Sequence, residues 1–224
     1  MKTVAVIPAY NEQDRVVAAI NDATAFVDAV VVVDDCSKDK TVELAKQTGA
    51  HVLRHIINRD QGAALQTGMD YALSRLGADV VVHFDADGQM AGSDIPAMIA
   101  PILAGEVDVT LGSRFLGKAV DIPTFRRLML KVAIFFTFWT SGLVLTDTHN
   151  GFRALSKKAA NAIRLRQDHK AHATEILDQI GTKRLSYREI PVTIRYNAET
   201  LAKGQKTSAM FRVASDVIKG KFIH

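Results

Sequence analysis

Asp79-Val80-Val81-Val82-His83-Phe84-Asp85-Ala86-Asp87-Gly88-Gln89 is the stretch that decides the fold. Val80-Val81-Val82 sends apolar side chains to both faces, as a strand covered by helices on each side must. The run then breaks abruptly into Asp, Gly and Gln, the composition of a loop. Outward from it the same alternation recurs. Strands are expected over residues 3–7, 29–33, 51–55, 79–84 and 108–111, with helices over 12–26, 40–48, 62–75 and 94–103 between them. Short β-branched runs alternating with helical patterns predict βαβ units and an α/β fold with a mostly parallel central sheet flanked by helices. Such sheets bind ligands beyond the carboxyl ends of their strands. Here those ends are residues 8–11, 34–39 and 85–89, and the polar residues collect there.

The second half reads differently. A bulky apolar helix is expected over 125–140, then a polar turn over 147–153 and a helix from about Ser156. Another helix is expected over 173–180. Residues 185–196 read as a strand, and Pro191 makes it an edge or bulged one. A mobile loop over 197–207 and an amphipathic helix over 208–219 complete the reading. With no internal repeat, linker or low-complexity segment, residues 1–224 are expected to form a single domain.

Composition narrows the function classes. The chain has 224 residues, 48% of them hydrophobic and 23% charged, which supplies a core and excludes a disordered chain. Cys36 is the only cysteine, so no disulfide framework exists. The apolar stretch after Met1 is too short for a signal peptide and reads as a strand. The net charge of +4 hides an asymmetry: residues 1–113 carry 8 Lys/Arg against 16 Asp/Glu, and residues 114–224 carry 20 against 8. A second half at +12 suits phosphates or anionic lipid, the plainer reading being an ordinary solvated face.

Asp85 and Asp87, spaced i, i+2 at a strand end, can both turn toward one cation. Oxygen donors suit Mg²⁺ or Mn²⁺, which bridge to phosphate oxygens. Gly88 allows the tight path and Gln89 adds an oxygen; the plainer reading is a turn capping the next helix. Asp34-Asp35 end the second strand, where a carboxylate can accept from a nucleotide's base or ribose, or serve turn chemistry. Tyr10 can stack on a base, while Asn11 or Glu12 can start a helix.

These segments together resemble the family 2 glycosyltransferases of the GT-A fold, and within them the dolichyl/polyprenyl-phosphate sugar synthases. The resemblance rests on residues 6–12, 31–37, 62–68, 85–89, Gly112-Ser113-Arg114-Phe115 and Asp147-Thr148-His149-Asn150-Gly151-Phe152-Arg153, in that order. It implies a nucleotide-sugar-binding half over about 1–113 and a smaller acceptor-side half over about 114–224. It implies that Pro8, Tyr10, Glu12, Asp34 and Asp35 line a nucleotide pocket, and that Asp85, Asp87 and Gln89 hold the metal and through it the diphosphate. The resemblance also implies that Arg114 lies near the phosphates; Arg126 or Arg127, and Arg195, are candidates to join it, since guanidinium forks suit phosphate. The implied reaction inverts the anomeric centre.

A hydroxyl acceptor needs a base, for which Asp147 and Glu175 are the candidates, with Asp147 favoured because it stands in the Asp-x-x-x-Gly-Phe-Arg motif. A lipid monophosphate needs none, its second pKa being about 6; those acids would then position groups. The implied partners are a nucleotide-sugar donor, UDP- favoured over GDP-, and a lipid-phosphate acceptor. The membrane surface and a small membrane protein standing in for an anchor complete the set; nucleic acid is not among them. A transferase to a hydroxyl of a glycan or small molecule, and a nucleotide-sugar binding module with little turnover, are the alternatives.

Two departures from relatives stand out. Asp60-Gln61 replaces a Lys many carry before Gly-Ala-Ala, and no apolar run reaches the roughly 20 residues a membrane span requires. Phe135, Phe136, Phe138 and Trp139 beside Arg126, Arg127 and Lys131 suit an interfacial helix or a core helix equally. The expected location is cytoplasmic, peripheral on the inner face of the cell membrane.

Overall fold

The computed structural model describes residues 1–119, 142–148, 150–166 and 172–195, with only the backbone of 117–119. The expected helix over 125–140 with Arg126 and Arg127, the loop over 197–207 and the helix over 208–219 lie outside the described residues.

The first half follows the expected alternation: β1 (Thr3–Ala9), α1 (Val16–Thr24), β2 (Ala29–Asp34), α2 (Thr41–Lys46), β3 (His51–Arg54), α3 (Asp60–Ser74), β4 (Val80–His83), a 3₁₀ turn (Gly92–Asp94) and α4 (Ile95–Leu103). β5 (Val109–Ala119), β6 (Arg153–Ser156), α5 (Lys157–Ala162), α6 (His172–Thr182) and β7 (Tyr187–Ile194) follow. The sheet has seven strands in the order β3-β2-β1-β4-β6-β5-β7. β3, β2, β1 and β4 pair in parallel, β6 runs antiparallel to both β4 and β5, and β7 is parallel to β5 at the edge.

Strict alternation of side chains across the sheet explains the valine runs. Val4, Val6, Val31, Val33 and Val81 pack on one face against Leu65 and Met69 of α3 and Ile176 of α6. Ala5, Ile7, Val30, Val32, Val80 and Val82 pack on the other against Ile20 of α1 and Ile95 and Met98 of α4. Each buried valine, leucine, isoleucine or methionine among them contributes about 1.5–3 kcal/mol. The α3 layer lies very close to the sheet: a Cβ on Gly68 would stand 2.3 Å from Cγ1 of Val6.

Two expectations are corrected. Residues 147–153 are not wholly a turn, because Arg153 opens β6, which fills the gap between β4 and β5. Helix α1 begins at Val16 rather than residue 12, since the Glu12 carbonyl accepts from both Arg15 N and Val16 N in a preceding turn. β5 runs through residues 113 and 114 and continues past Arg114, where β7 pairs along it with a register irregularity between Ser113 and Lys118. Pro191 of β7 does lie on the edge strand, opposite Ser113.

Candidate active site

The loops after β1, β2, β3 and β4 meet at the carboxyl edge of the parallel strands. Asn11, at φ +54°, donates its N–H to Ser37 Oγ (2.8 Å) and accepts Lys38 N at Oδ1 (2.9 Å). Glu12 N donates to Thr41 Oγ1 (2.9 Å). These bonds knit the first two loops together. Asp34 is fully buried; its Oδ2 accepts Ser37 N and lies 3.4 Å from Arg54 Nε, so it braces the loop from behind. Asp35 faces the cleft. Its carboxylate meets His55 Nδ1 at 2.7 Å and accepts Arg59 N at 2.8 Å, while Asn58 donates to its carbonyl. Asp35 thereby fixes the path of residues 55–59 into α3.

A cleft of about 300 Å³ opens between these loops, lined by Pro8, Tyr10, Glu12, Asp35, Asn58, Asp60, Gln61, Asp85 and Asp87 with Ala9, Ala64 and Ala86. Tyr10 is 44% exposed at its rim. Asp85 is half-buried and held from several sides: Gln61 Nε2 donates to its Oδ1 at 2.8 Å, its N–H points at Met90 Sδ, and Gly151 packs against its Oδ2. Asp87 Oδ1 accepts Gln89 N at 3.0 Å across the turn at Gly88, whose φ is +74°. Burial, and then the Asp87 charge, push Asp85 up to about 7, against the opposing pull of Arg153 and Gln61.

Two acids crowded so that one resists ionisation form a donor set that a divalent cation satisfies. No group of three or more His, Cys, Asp or Glu side chains suited to a metal exists among the described residues. A pair is nonetheless the usual protein share for Mg²⁺, which takes one or two carboxylates and completes its shell with substrate phosphates and water. The residues present therefore fit such an ion.

Beneath and beside the acid pair lies a buried polar cluster. Register places His83 of β4 opposite Arg153 of β6. Both are nearly inaccessible, at 1% and 2% exposure. Burial, then Arg153 and His172, push His83 down to about 3, so it is neutral. Burial lowers Arg153 to about 10, while the charges of Asp85 and Asp147 pull it back up. Asp147, also buried, accepts Arg114 Nε at 2.6 Å and Arg114 N at 3.1 Å. Its own N–H, with that of Thr146, points at the Glu189 carboxylate on β7.

Of the residues singled out in the sequence, Pro8, Tyr10, Glu12, Asp35, Asp85 and Asp87 come together in the cleft. Asp34 lies behind it. Gln89 sits on the turn after Asp87, and its carbonyl accepts Arg195 N at 2.9 Å, bringing the end of β7 to the acid loop. Arg114 and Asp147 are bound to each other. Glu175 accepts Arg166 N through both oxygens. Gln61, Asn58, Arg153 and Glu189 escaped the sequence reading. The Gly-Phe-Arg motif already carried Arg153, and Gln61 stood where relatives have Lys.

A mostly parallel seven-stranded sheet with flanking helices and an acid pair at the end of a central strand is the arrangement of the GT-A class of sugar transferases. The family model for glycosyl transferase family 2 matches residues 4–164, and the chain belongs to that family. Among its relatives, the UDP-N-acetylglucosamine–dolichyl-phosphate N-acetylglucosaminyltransferase of Methanococcus voltae is 29% identical over 93% of this chain and 91% of its own. The polyprenol monophosphomannose synthase of Mycolicibacterium smegmatis is 30% identical over 98% of this chain and 88% of its own. Among solved structures, the glucosyl-3-phosphoglycerate synthase of Mycobacterium tuberculosis, in complex with Mn²⁺, UDP and glucosyl-3-phosphoglycerate, has a TM-score of 0.69. At 18% identity, over 97% of this chain and 77% of that one, it shares the fold. No helix among the described residues is long and apolar enough to cross a membrane.

Proposed function

We propose that the chain, as a single domain, transfers a sugar with inversion from a nucleotide-sugar to a polyprenyl or dolichyl phosphate presented at the cytoplasmic membrane face. UDP is the favoured nucleotide and GDP the alternative. The observation that carries the reading is the acid pair Asp85/Asp87 on the wall of a cleft built from the ends of β1, β2 and β4. Relatives named for dolichyl-phosphate and polyprenol substrates supply the acceptor class.

Each part of the site has work in this reading. Pro8 and Tyr10 offer a flat apolar wall for a base, and Asn58 and Gln61 offer polar edges to donor oxygens. Asp85 and Asp87, with Gln89, would hold Mg²⁺ or Mn²⁺; the ion supplies positive charge to the departing diphosphate. Arg114 adds a fixed cation whose direction is set by its bond to Asp147, and preorganised charge of this kind lowers the barrier without reorganisation. A monophosphate acceptor arrives already ionised. Asp147, engaged by Arg114, is then a positioning group rather than a base, which is the role a phosphate acceptor leaves to it.

The test is nucleotide release from UDP- and GDP-sugars by purified chain, with and without a short polyprenyl phosphate and Mn²⁺. Release is expected to require both, and Asp87→Ala to abolish it in a folded protein. Full turnover in excess chelator would sink the cation. Indifference to polyprenyl phosphate together with efficient transfer to a soluble hydroxyl would sink the acceptor.

A further inference from the structure

Glu189 stands in the middle of β7, the edge strand, and does not line the cleft. Its carboxylate is nevertheless aimed inward, at one turn. Thr146 N donates to both of its oxygens at 2.9 and 2.8 Å, Thr146 Oγ1 lies 3.0 Å from Oε1, and Asp147 N donates to Oε1 at 3.0 Å. Two residues earlier on the same face of β7, Tyr187 Oη accepts Val144 N at 3.1 Å. The edge strand thus grips residues 144–147 by side chains. Ser113 Oγ and Thr146 Oγ1, 2.6 Å apart, tie the same turn to β5.

The next residue on β5 is Arg114, and the next in the turn is Asp147, which receives both Arg114 Nε and Arg114 N. The chain of contacts therefore runs from Glu189 to the Thr146–Asp147 backbone, to the Asp147 carboxylate, to the Arg114 guanidinium. Glu189 also reaches β5 through Thr146 Oγ1 and Ser113 Oγ, the residue before Arg114. It pairs with Leu111, three residues before Arg114, and strands rise about 3.3 Å per residue, so the two positions lie roughly 10 Å apart along the strand. A carboxylate is also an odd choice for merely stapling an edge strand. Two backbone N–H groups of one turn converging on it fix the plane of the peptide before Asp147, which an apolar contact cannot do.

We propose that Glu189 is a positioning residue for the transfer: through the Thr146–Asp147 turn it sets the direction in which Asp147 presents Arg114 to the phosphates. The inference rests on the reading of Arg114 as the phosphate-facing cation. Displacing a group by about 1 Å costs on the order of 100-fold in rate, so Glu189→Ala is expected to lower kcat by about 10–100-fold. Because Glu189 meets no substrate, the KM for donor is expected to stay within about twofold.

The experiment is a double-mutant cycle on kcat with Glu189→Ala, Asp147→Asn and the pair, and with Arg114→Gln as reference. If Glu189 acts through Asp147, the double variant loses no more than Asp147→Asn alone. Additive losses mean that Glu189 only supports the fold, and overturn the proposal. Glu189→Gln keeps one acceptor oxygen and is read in the same cycle if Ala fails to fold; its smaller loss must also vanish in the Asp147→Asn background. Wild-type kcat in Glu189→Ala, with Arg114→Gln impaired, overturns this inference alone. Full turnover by Arg114→Gln removes the reading of Arg114 and the inference with it.

Discussion

Gly151→Ala tests whether the geometry of Asp85 is what the site depends on. Gly151 has no side chain where the Gly-Phe-Arg segment passes the acid pair. A Cβ built there would stand 2.7 Å from Asp85 Oδ2 and 3.2 Å from Met90 Cε. Ordinary contact begins at 3.4 Å, so Oδ2 falls short by about 0.7 Å. The backbone at Gly151 is not among the positive-φ positions, so the added methyl acts through this contact and not through backbone strain. Asp85 must turn or retreat, and either motion pulls Oδ1 from its 2.8 Å bond to Gln61. Under the proposed role of Asp85 in holding the cation, a shift approaching 1 Å costs on the order of 10- to 100-fold in kcat, which is about 1.4–2.7 kcal/mol of barrier. Stability should change little, because Met90 is unbranched and its thioether end can yield. Steady-state kinetics, Mn²⁺ titration and a thermal melt of the same preparation separate the effects. A Gly151→Ala protein with wild-type kcat and wild-type Mn²⁺ affinity would refute the dependence on Asp85 geometry.

Two further outcomes follow from the packing and the acid pair. Gly68→Ala forces a methyl into the 2.3 Å approach of α3 to Val6; overpacking of this kind costs about 1–3 kcal/mol, or roughly 2–12 °C in Tm, and an unchanged melt would contradict the tight α3–β1 contact. Asp85, held up to about 7 chiefly by burial in the folded protein, releases its proton near the ordinary 3.8 when unfolded. The native state therefore binds more protons in between, and metal-free protein should lose stability as pH rises from about 4 to about 7, then level off. Asp85→Asn should remove that slope, and an identical pH profile in the variant would count against the crowded pair.

The parts of this molecule that a sequence makes visible are those where one local pattern dictates one structure. Val30–Val33 and Val80–Val82 are buried on both faces, and only a covered parallel strand satisfies such runs; their polar ends then locate Asp35, Asp85 and Asp87 without further information. β6 resists the same reading. It has four residues, opens with a charged Arg153, and derives its place from antiparallel pairing with β4 and β5, strands distant in sequence. Its local signal, a polar segment before the helix capped by Ser156, argued for a turn. The buried charges obey the same rule. Arg153 is tolerable at 2% exposure only because Asp85 and Asp147 arrive beside it from two other segments. An isolated buried guanidinium would be strongly unfavourable.

That dependence also says why the chain from Arg114 onward was harder to read than the first half. The cleft is made by loops that each follow their own strand, so the candidate residues of each loop stand beside their own structural cause. The Arg114–Asp147–Glu189 chain joins β5, a turn and an edge strand across separations of 33 and 42 residues. No single segment carries its meaning, and Glu189, flanked by Arg188 and Ile190 on an alternating strand, looks like any solvent-facing residue until the turn it holds is seen. Arg114 illustrates the consequence. Its motif implied a cation for the phosphates, but not the buried carboxylate that binds it. A charge placed by one strand and held by a turn that another strand grips can be weakened from either, so the Arg114–Asp147 pair should be more sensitive than the loops after β1, β2 and β4 to substitutions that never touch the cleft.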